Sequence, residues 1–234
     1  MDDRQLKAAL AHAARTINEA RTLEETLQTI AETAQISIPS MDHVGVSIFN
    51  DNGIPVTKAA TSELVLELDN LQYSLDEGPC VDSLRGTTVV AAPNLRHDQR
   101  WPRYVPEAVQ RGLKSQLAVK LSLGESRTVG GLNMYSTGSE DIDPQAPGMA
   151  DLFATHAALA LGKAQEIDDL QQALKTREVI GQAVGLLMQR YGLDPDGAFG
   201  FLVRSSSHSN TKVREVALQI VEQHTKGIPS RNGN

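Results

Sequence analysis

The chain has 234 residues, 40% of them hydrophobic and 4% aromatic, so aliphatic side chains must fill any core. No apolar run reaches the length of a membrane span, the N-terminus lacks the form of a secretory signal, and the single Cys80 excludes an intramolecular disulfide. Residues 1–174 hold 14 Lys+Arg against 24 Asp+Glu (−10), and residues 175–234 hold 8 against 5 (+3). We therefore expect a cytoplasmic protein with an acidic body and a small basic module.

The first two thirds of the chain mix helix and strand patterns. Apolar residues at three- and four-residue steps predict an N-terminal helix over 1–35, and the turn at 50–53 predicts a hairpin over 43–61. The next predicted elements are a helix at 62–73, a strand at 87–91, a helix at 106–112, and strands at 115–123 and 128–136. This order predicts an α+β domain over 1–162, with one antiparallel sheet of about five strands and helices packed on a face.

Residues 148–191 are predicted to form one long helix or two abutting helices. Apolar or small residues at 153, 160, 167, 170, 174, 181, 184 and 188 fit a heptad repeat, which predicts a short coiled coil. We assign 163–178 to a helical linker that also mediates dimerisation. Helices at 195–206 and 211–225 complete an all-α module over 177–226, and 227–234 is expected to be a flexible tail. Leu187, Phe199 and Leu202 are among the residues expected to form the small core of this module.

The C-terminal module resembles a known RNA-binding domain. The residues that carry the resemblance are REVIGQAVGLLM at 177–188, YGL at 191–193, AF at 198–199, SSS at 205–207 and NTKV at 210–213. They closely resemble the ANTAR domain of bacterial transcription antiterminators. The resemblance implies a three-helix module that acts as a dimer, binds two small hairpin loops of a nascent transcript and prevents a terminator from forming. Many members carry lysine where this chain has Val184, so one possible phosphate contact is missing.

The expected RNA-binding residues fall into three groups, which are cations, readers of base edges, and small residues that leave the backbone accessible. They are Arg190, Arg204, Lys212 and Arg214; Gln182, Ser206 and Asn210; and Ala183 and Gly185. Each type also has a purely structural interpretation. Asn210 could cap a helix, Arg190 and Arg214 could be solvated charges, and Gly185 could permit close helix packing. Tyr191 could stack on a base.

Residues 40–160 resemble a GAF domain, a fold that senses a small molecule or a protein partner. The motifs are DEGPCVD at 76–82, DQRWP at 98–102, LAV at 117–119 and GLNMY at 131–135, similar to actinobacterial proteins that pair GAF with ANTAR. The fold leaves the ligand open. Cys80 and Trp101 are the candidate ligand-binding residues. Cys80 could instead be a redox-sensing thiol or a small buried apolar residue, and Trp101 could be a core anchor.

Together the resemblances imply a homodimeric, signal-responsive antiterminator. We expect no cofactor, and six scattered histidines with one cysteine show no metal-ligand spacing. In this interpretation a GAF-like sheet domain is joined by a long, coiled-coil-like helix to the ANTAR module. Three alternatives stay open. The module could be a DNA-binding helix-turn-helix, or the protein could be an adaptor whose basic end binds an acidic partner. An enzyme would need the acidic cluster of Asp76, Glu77 and Asp82 to supply a general acid and a general base.

Overall fold

The structure is a computed structural model that describes residues 15, 17, 19, 20, 22–38, 40–50, 52–124 and 127–226. These residues form two compact units that divide between Glu166 and Ile167. The first 14 residues of the predicted N-terminal helix and the predicted tail at 227–234 lie outside the described residues. Over the described part, no helix combines the length and apolar content that a bilayer crossing requires.

The first unit is an α+β fold, which confirms the predicted class. Its helices are α1 (Leu23–Ser37), α2 (Glu63–Leu75), α3 (Pro79–Arg85), α4 (Tyr104–Gln110) and the first part of α5 (Ala146–Tyr191), and a short 3-10 helix spans Leu95–His97. Its strands are β1 (His43–Phe49), β2 (Pro55–Ala60), β3 (Val89–Ala92), β4 (Ser115–Leu123) and β5 (Arg127–Ser136).

The N-terminal helical pattern is interrupted, so the prediction of one helix over 1–35 is wrong. Ala20 is not helical, and α1 begins after Thr22. The hydroxyl of Thr22 accepts from the Glu25 N–H at 3.1 Å, and the Glu25 carboxylate accepts from the Thr22 N–H at 3.3 Å. This capping box satisfies backbone donors at the start of α1, and it marks a new helix within a continuous apolar pattern.

The five strands form one antiparallel sheet in the order β2-β1-β5-β4-β3. Helices cover both faces of this sheet, whereas the sequence predicted packing on a face. Ile30 of α1 and Phe153 of α5 lie in the apolar cluster on one side, and Leu68 of α2 and Tyr104 of α4 lie in a second cluster. The reason is visible in β5, where residues 129–136 are all buried, so both sides of the strand face protein.

The predicted hairpin at 43–61 is confirmed by antiparallel pairing of β1 with β2, in which Phe49 lies opposite Pro55. Helix α2 lies very close to β1. A Cβ added to Gly45 would lie 2.4 Å from Cγ1 of Val65 and 2.9 Å from the Asp69 carboxylate. Glycine at this position therefore sets the distance between α2 and the sheet.

The second unit contains the end of α5, α6 (Pro195–Ser209) and α7 (Val213–Lys226). The 46-residue α5 is one continuous helix, and it is followed by Gly192, which has a φ of +66°. The Asp194 carboxylate caps α6 by accepting from a backbone N–H at 2.7 Å. Leu187 and Leu202 are buried between the helices, whereas Phe199, which the pattern assigns to this core, is 47% exposed.

Candidate RNA interface and sensor core

The predicted cations of the second unit lie on its surface. Arg190 is near the end of α5, Arg204 is on α6, and Lys212 and Arg214 lie where α7 begins; all four side chains are exposed. Within the described residues, Arg190, Arg204 and Arg214 form no ion pair with a carboxylate. Exposed guanidinium groups of this kind can bind phosphate oxygens without first breaking an internal ion pair.

Ser206 and Asn210 build the turn between α6 and α7. The Ser206 hydroxyl donates to the Thr211 carbonyl oxygen at 2.5 Å. Asn210 has a φ of +52°, and its backbone N–H donates to the Ser206 carbonyl oxygen, so it closes α6 as a C-cap. The structural interpretation of Asn210 is therefore present in the fold, and base reading by Ser206 or Asn210 stays a prediction.

The small residues of α5 differ in accessibility. Gly185 is exposed, and a Cβ added there would meet nothing within 4 Å, so its backbone is open to a ligand. Ala183 is fully buried because it lies one turn from Leu187 on the face that packs against the other helices. Its methyl group therefore packs in the core instead of leaving the backbone open. Gln182 is exposed, and its amide donates to the Glu178 carboxylate at 3.3 Å.

Trp101 and Cys80 are both buried in the first unit. The Trp101 indole N–H donates to the Asp82 carboxylate at 2.9 Å, and the Arg100 guanidinium lies 4.2 Å from the centre of its ring system. The Cys80 side chain is fully buried. Burial, and then the charge of the nearby Asp69, raise the pKa of the Cys80 thiol to about 12. The thiolate that a redox sensor needs is therefore disfavoured. The burial of both side chains matches the interpretation of Cys80 as a small buried residue and of Trp101 as a core anchor.

The acidic cluster divides into separate structural contacts. Asp76 forms an ion pair with Arg85, and the Glu77 carboxylate accepts from Arg103 Nε at 2.7 Å. These arginine hydrogen bonds hold the pKa of both carboxyl groups below their usual values. Since the third carboxylate, Asp82, accepts from the tryptophan described above, the three groups make separate contacts and show no shared acid–base geometry.

A buried carboxylate lies between α2 and the sheet. Asp69 has no exposed surface, and it accepts from the Thr57 hydroxyl at 2.6 Å, from the Asn133 amide at 2.7 Å and from the Tyr135 hydroxyl. Burial raises the pKa of Asp69 to about 6 although these three donors oppose the shift. In the folded protein Asp69 therefore titrates in the weakly acidic range.

A second layer of hydrogen bonds joins this carboxylate to the start of α3. The Gln72 amide donates to the Tyr135 hydroxyl at 2.9 Å, and its oxygen accepts from the Cys80 backbone N–H at 2.9 Å and from Gln116 at 3.2 Å. The Tyr104 hydroxyl donates to the Gln116 oxygen at 2.6 Å. The interior between the sheet and helices α2 and α4 therefore contains connected polar side chains from β4, β5, α2 and α4 beside its apolar cluster.

Two domain families match separate segments of the sequence. A sequence profile described as the GAF domain matches residues 20–162, and one described as the ANTAR domain matches residues 168–221. The chain belongs to the GAF domain family. The ANTAR domain follows the GAF domain along the chain, so the resemblance to GAF–ANTAR regulators is confirmed. A search of curated proteins found no match.

Solved structures show the same GAF fold at low sequence identity. The GAF domain of a phosphoenolpyruvate-protein phosphotransferase from Coxiella burnetii is 15% identical with a TM-score of 0.58, covering 72% of this chain and 99% of that one. The corresponding Acinetobacter domain is 14% identical with a TM-score of 0.56 and the same coverages. The chromophore-binding domain of a bacteriophytochrome from R. palustris is 11% identical with a TM-score of 0.53, covering 71% of this chain and 64% of that chain.

The polar network of the GAF domain was missed by sequence reasoning. Asp69, Gln72 and Tyr73 recur at three- and four-residue steps along α2, so they share a helix face, and Asn133 and Tyr135 share a face of β5. That spacing was the available signal. Asn133 Oδ1 is buried without a hydrogen-bond partner among the described residues. Among the residues that the structure describes, no group of three or more His, Cys, Asp or Glu side chains is arranged to hold a metal ion.

Proposed function

We propose that this GAF–ANTAR protein is a cytoplasmic, signal-responsive transcription antiterminator that binds paired RNA hairpin loops as a homodimer. The GAF domain would sense a small molecule or a protein partner and control RNA binding. The observation that carries the proposal is the ANTAR domain at 168–221, whose helices expose arginines that are free of ion pairs among the described residues.

The charge distribution supports RNA binding by the ANTAR domain and not by the GAF domain. Residues 175–234 carry a net +3, whereas residues 1–174 carry a net −10. Because the acidic residues 1–174 repel a polyanion such as RNA, we expect the cations of residues 175–234 to contact its phosphates. Two copies in a dimer double the positive charge available to one RNA.

Exposed apolar residues on α5 support dimerisation. Ile167, Leu170 and Leu174 are 41%, 61% and 67% exposed, and their three- and four-residue steps place them on one helix face. The first two heptad positions, 153 and 160, are buried in the core of the GAF domain. The heptad positions that a partner helix could contact therefore begin after residue 160. A second copy of α5 would cover this stripe, which supports a dimer contact within 163–178.

The continuity of α5 supports signal control. Its N-terminal residues pack in the apolar cluster of the GAF domain, and its C-terminal residues pack in the core of the ANTAR domain. A GAF ligand would act by favouring the dimer geometry in which both ANTAR copies can bind RNA. It can do so only if it binds the two geometries with different affinity.

A mobility-shift titration of the full chain tests the RNA-binding role. The probe is a transcript leader with two adjacent hairpins, and the variants are Arg204→Gln and Arg214→Gln. The matched control is Lys58→Gln, which removes one exposed charge from the GAF domain instead. We expect each arginine variant to bind more weakly and to lower the salt slope by about 0.7, the value for one phosphate contact in single strands. The control should bind like wild type.

Two results would contradict the RNA-binding role. Stronger binding to duplex DNA than to the leader would favour the helix-turn-helix alternative. Equal loss of binding in the Lys58→Gln control would mean that only total charge matters, which would favour the adaptor alternative.

A further inference from the structure

The ANTAR domain contains a groove between the end of α5, α6 and α7, with a volume of about 650 Å³. Leu187 and Ile220 contribute apolar surface to it. The rings of Tyr191 and Phe201 stack at its side, with centroids 5.9 Å apart and planes at 25°. Tyr191 is 54% exposed, so this aromatic surface remains open to solvent.

The remaining lining residues are polar or cationic. Gln189, Gln223 and His224 are exposed side chains that line the groove, and the Arg190 guanidinium lies 5.6 Å from the centre of the Tyr191 ring. No carboxylate lines this groove in the described part of the chain. The groove therefore combines an aromatic platform, side-chain amides that both donate and accept, and a positive charge.

We infer that this groove binds one unstacked base of an RNA hairpin loop, an inference that rests on the proposed RNA-binding function. Proteins bind unpaired bases by stacking them on aromatic rings and by hydrogen bonds to their edges. The stacked pair of Tyr191 and Phe201 offers the platform, and the Gln189 and Gln223 amides are placed to read the base edge. Arg190 provides the charge for the neighbouring phosphate.

The size of the groove fits this ligand. Sites for small ligands span about 300–1,000 Å³, and the groove, at about 650 Å³, lies within that range and has room for a base with its ribose. Of the residues that the sequence indicates for RNA contact, Arg190 and Tyr191 line the groove, whereas Phe201 and His224 are not among them. The inference thus adds a base-binding site to the predicted set of RNA contacts.

A coupled scan of protein and RNA tests the inference. Full-length wild type, Tyr191→Leu and Gln223→Ala are titrated against the two-hairpin leader and against leaders with one abasic loop position each. Gln219→Ala is the matched control, since Gln219 is exposed on α7 and does not line the groove. We expect each groove variant to bind about tenfold more weakly, which corresponds to about 1.4 kcal/mol. The control should bind like wild type.

The abasic leaders identify the base. At one loop position, the abasic site should weaken wild type by the same factor, and it should cause no further loss in Tyr191→Leu. The midpoint of thermal unfolding of Gln223→Ala should match wild type, which separates loss of binding from loss of fold. Wild-type affinity in both groove variants, together with loop-dependent binding by wild type, would overturn the groove and leave the RNA-binding role intact. Failure of wild type to bind any loop RNA would overturn both.

Discussion

The buried Asp69 carboxylate predicts that the stability of the GAF domain falls as pH rises through the weakly acidic range. Burial raises its pKa from the ordinary value of 3.8 to about 6. Below the unfolded pKa both states carry the proton, so burial of the carboxyl group has no ionisation cost. Above about 6 both states are ionised, and the folded state holds a buried charge. A shift of about two pKa units corresponds to about 3 kcal/mol of lost stability.

Substitution Asp69→Asn removes this titration and keeps the size of the side chain. Its amide oxygen can still accept from Asn133 and Tyr135. Urea unfolding from pH 4 to pH 8, followed by fluorescence of the single Trp101, reports on the GAF domain alone. We expect the free energy of unfolding of wild type, relative to the variant, to fall by about 2.5 kcal/mol across this range, because a small part of the loss has already occurred at pH 4.

The exposed Asp141 provides the control, because Asp141→Asn changes the same net charge without touching the network. Its stability difference from wild type should stay within about 0.5 kcal/mol at every pH. Parallel pH profiles of wild type and Asp69→Asn would refute the reasoning, since they would mean that the three donors cancel the effect of burial. A wild type that gains stability with rising pH would show that the donors outweigh burial.

Three further substitutions, the first paired with a control, test local stability within each domain by urea titration. Leu202→Ala empties a fully buried position of the ANTAR core and should cost about 2–5 kcal/mol, whereas Leu218→Ala, 43% exposed, should cost less than about 1 kcal/mol; equal costs would contradict the assigned core. Asp194→Ala removes the cap of α6 and should cost about 1 kcal/mol; no loss would mean that water replaces the cap. Gly45→Ala should cost about 1–3 kcal/mol because its Cβ would overlap Val65; an unchanged midpoint would show that α2 can move away freely.

The sequence predicted those elements whose local signals are strong. The predicted strand at 115–123 matches the structure to the residue, and the turn at 50–53 correctly predicted the hairpin over 43–61. The start of α1 was missed although Thr22 and Glu25 form a capping box that the sequence displays. The apolar period before and after Thr22 is nearly continuous, so periodicity alone predicts one helix, whereas the capping box marks where α1 begins.

Candidate site residues were harder to predict, because residue type does not determine exposure. Ala183 and Gly185 are both small, but helix geometry turns the first into the core and the second outward. The pattern assigned Phe199 to the core, whereas Phe201 is the ring that lines the groove. The Asp69 network joins residues 57, 69 and 133, which only the tertiary fold brings together.

The most direct test of the antiterminator account is the affinity and stoichiometry of the full chain on a leader with two adjacent hairpins. The measurement is repeated on the same leader with one loop scrambled, using mobility shift for affinity and sedimentation velocity for stoichiometry. The account predicts two protein copies on one RNA and a large loss of affinity when either loop is scrambled. Equal, weak and salt-sensitive binding to both leaders would contradict it, since that result would show attraction to phosphate without recognition of paired loops.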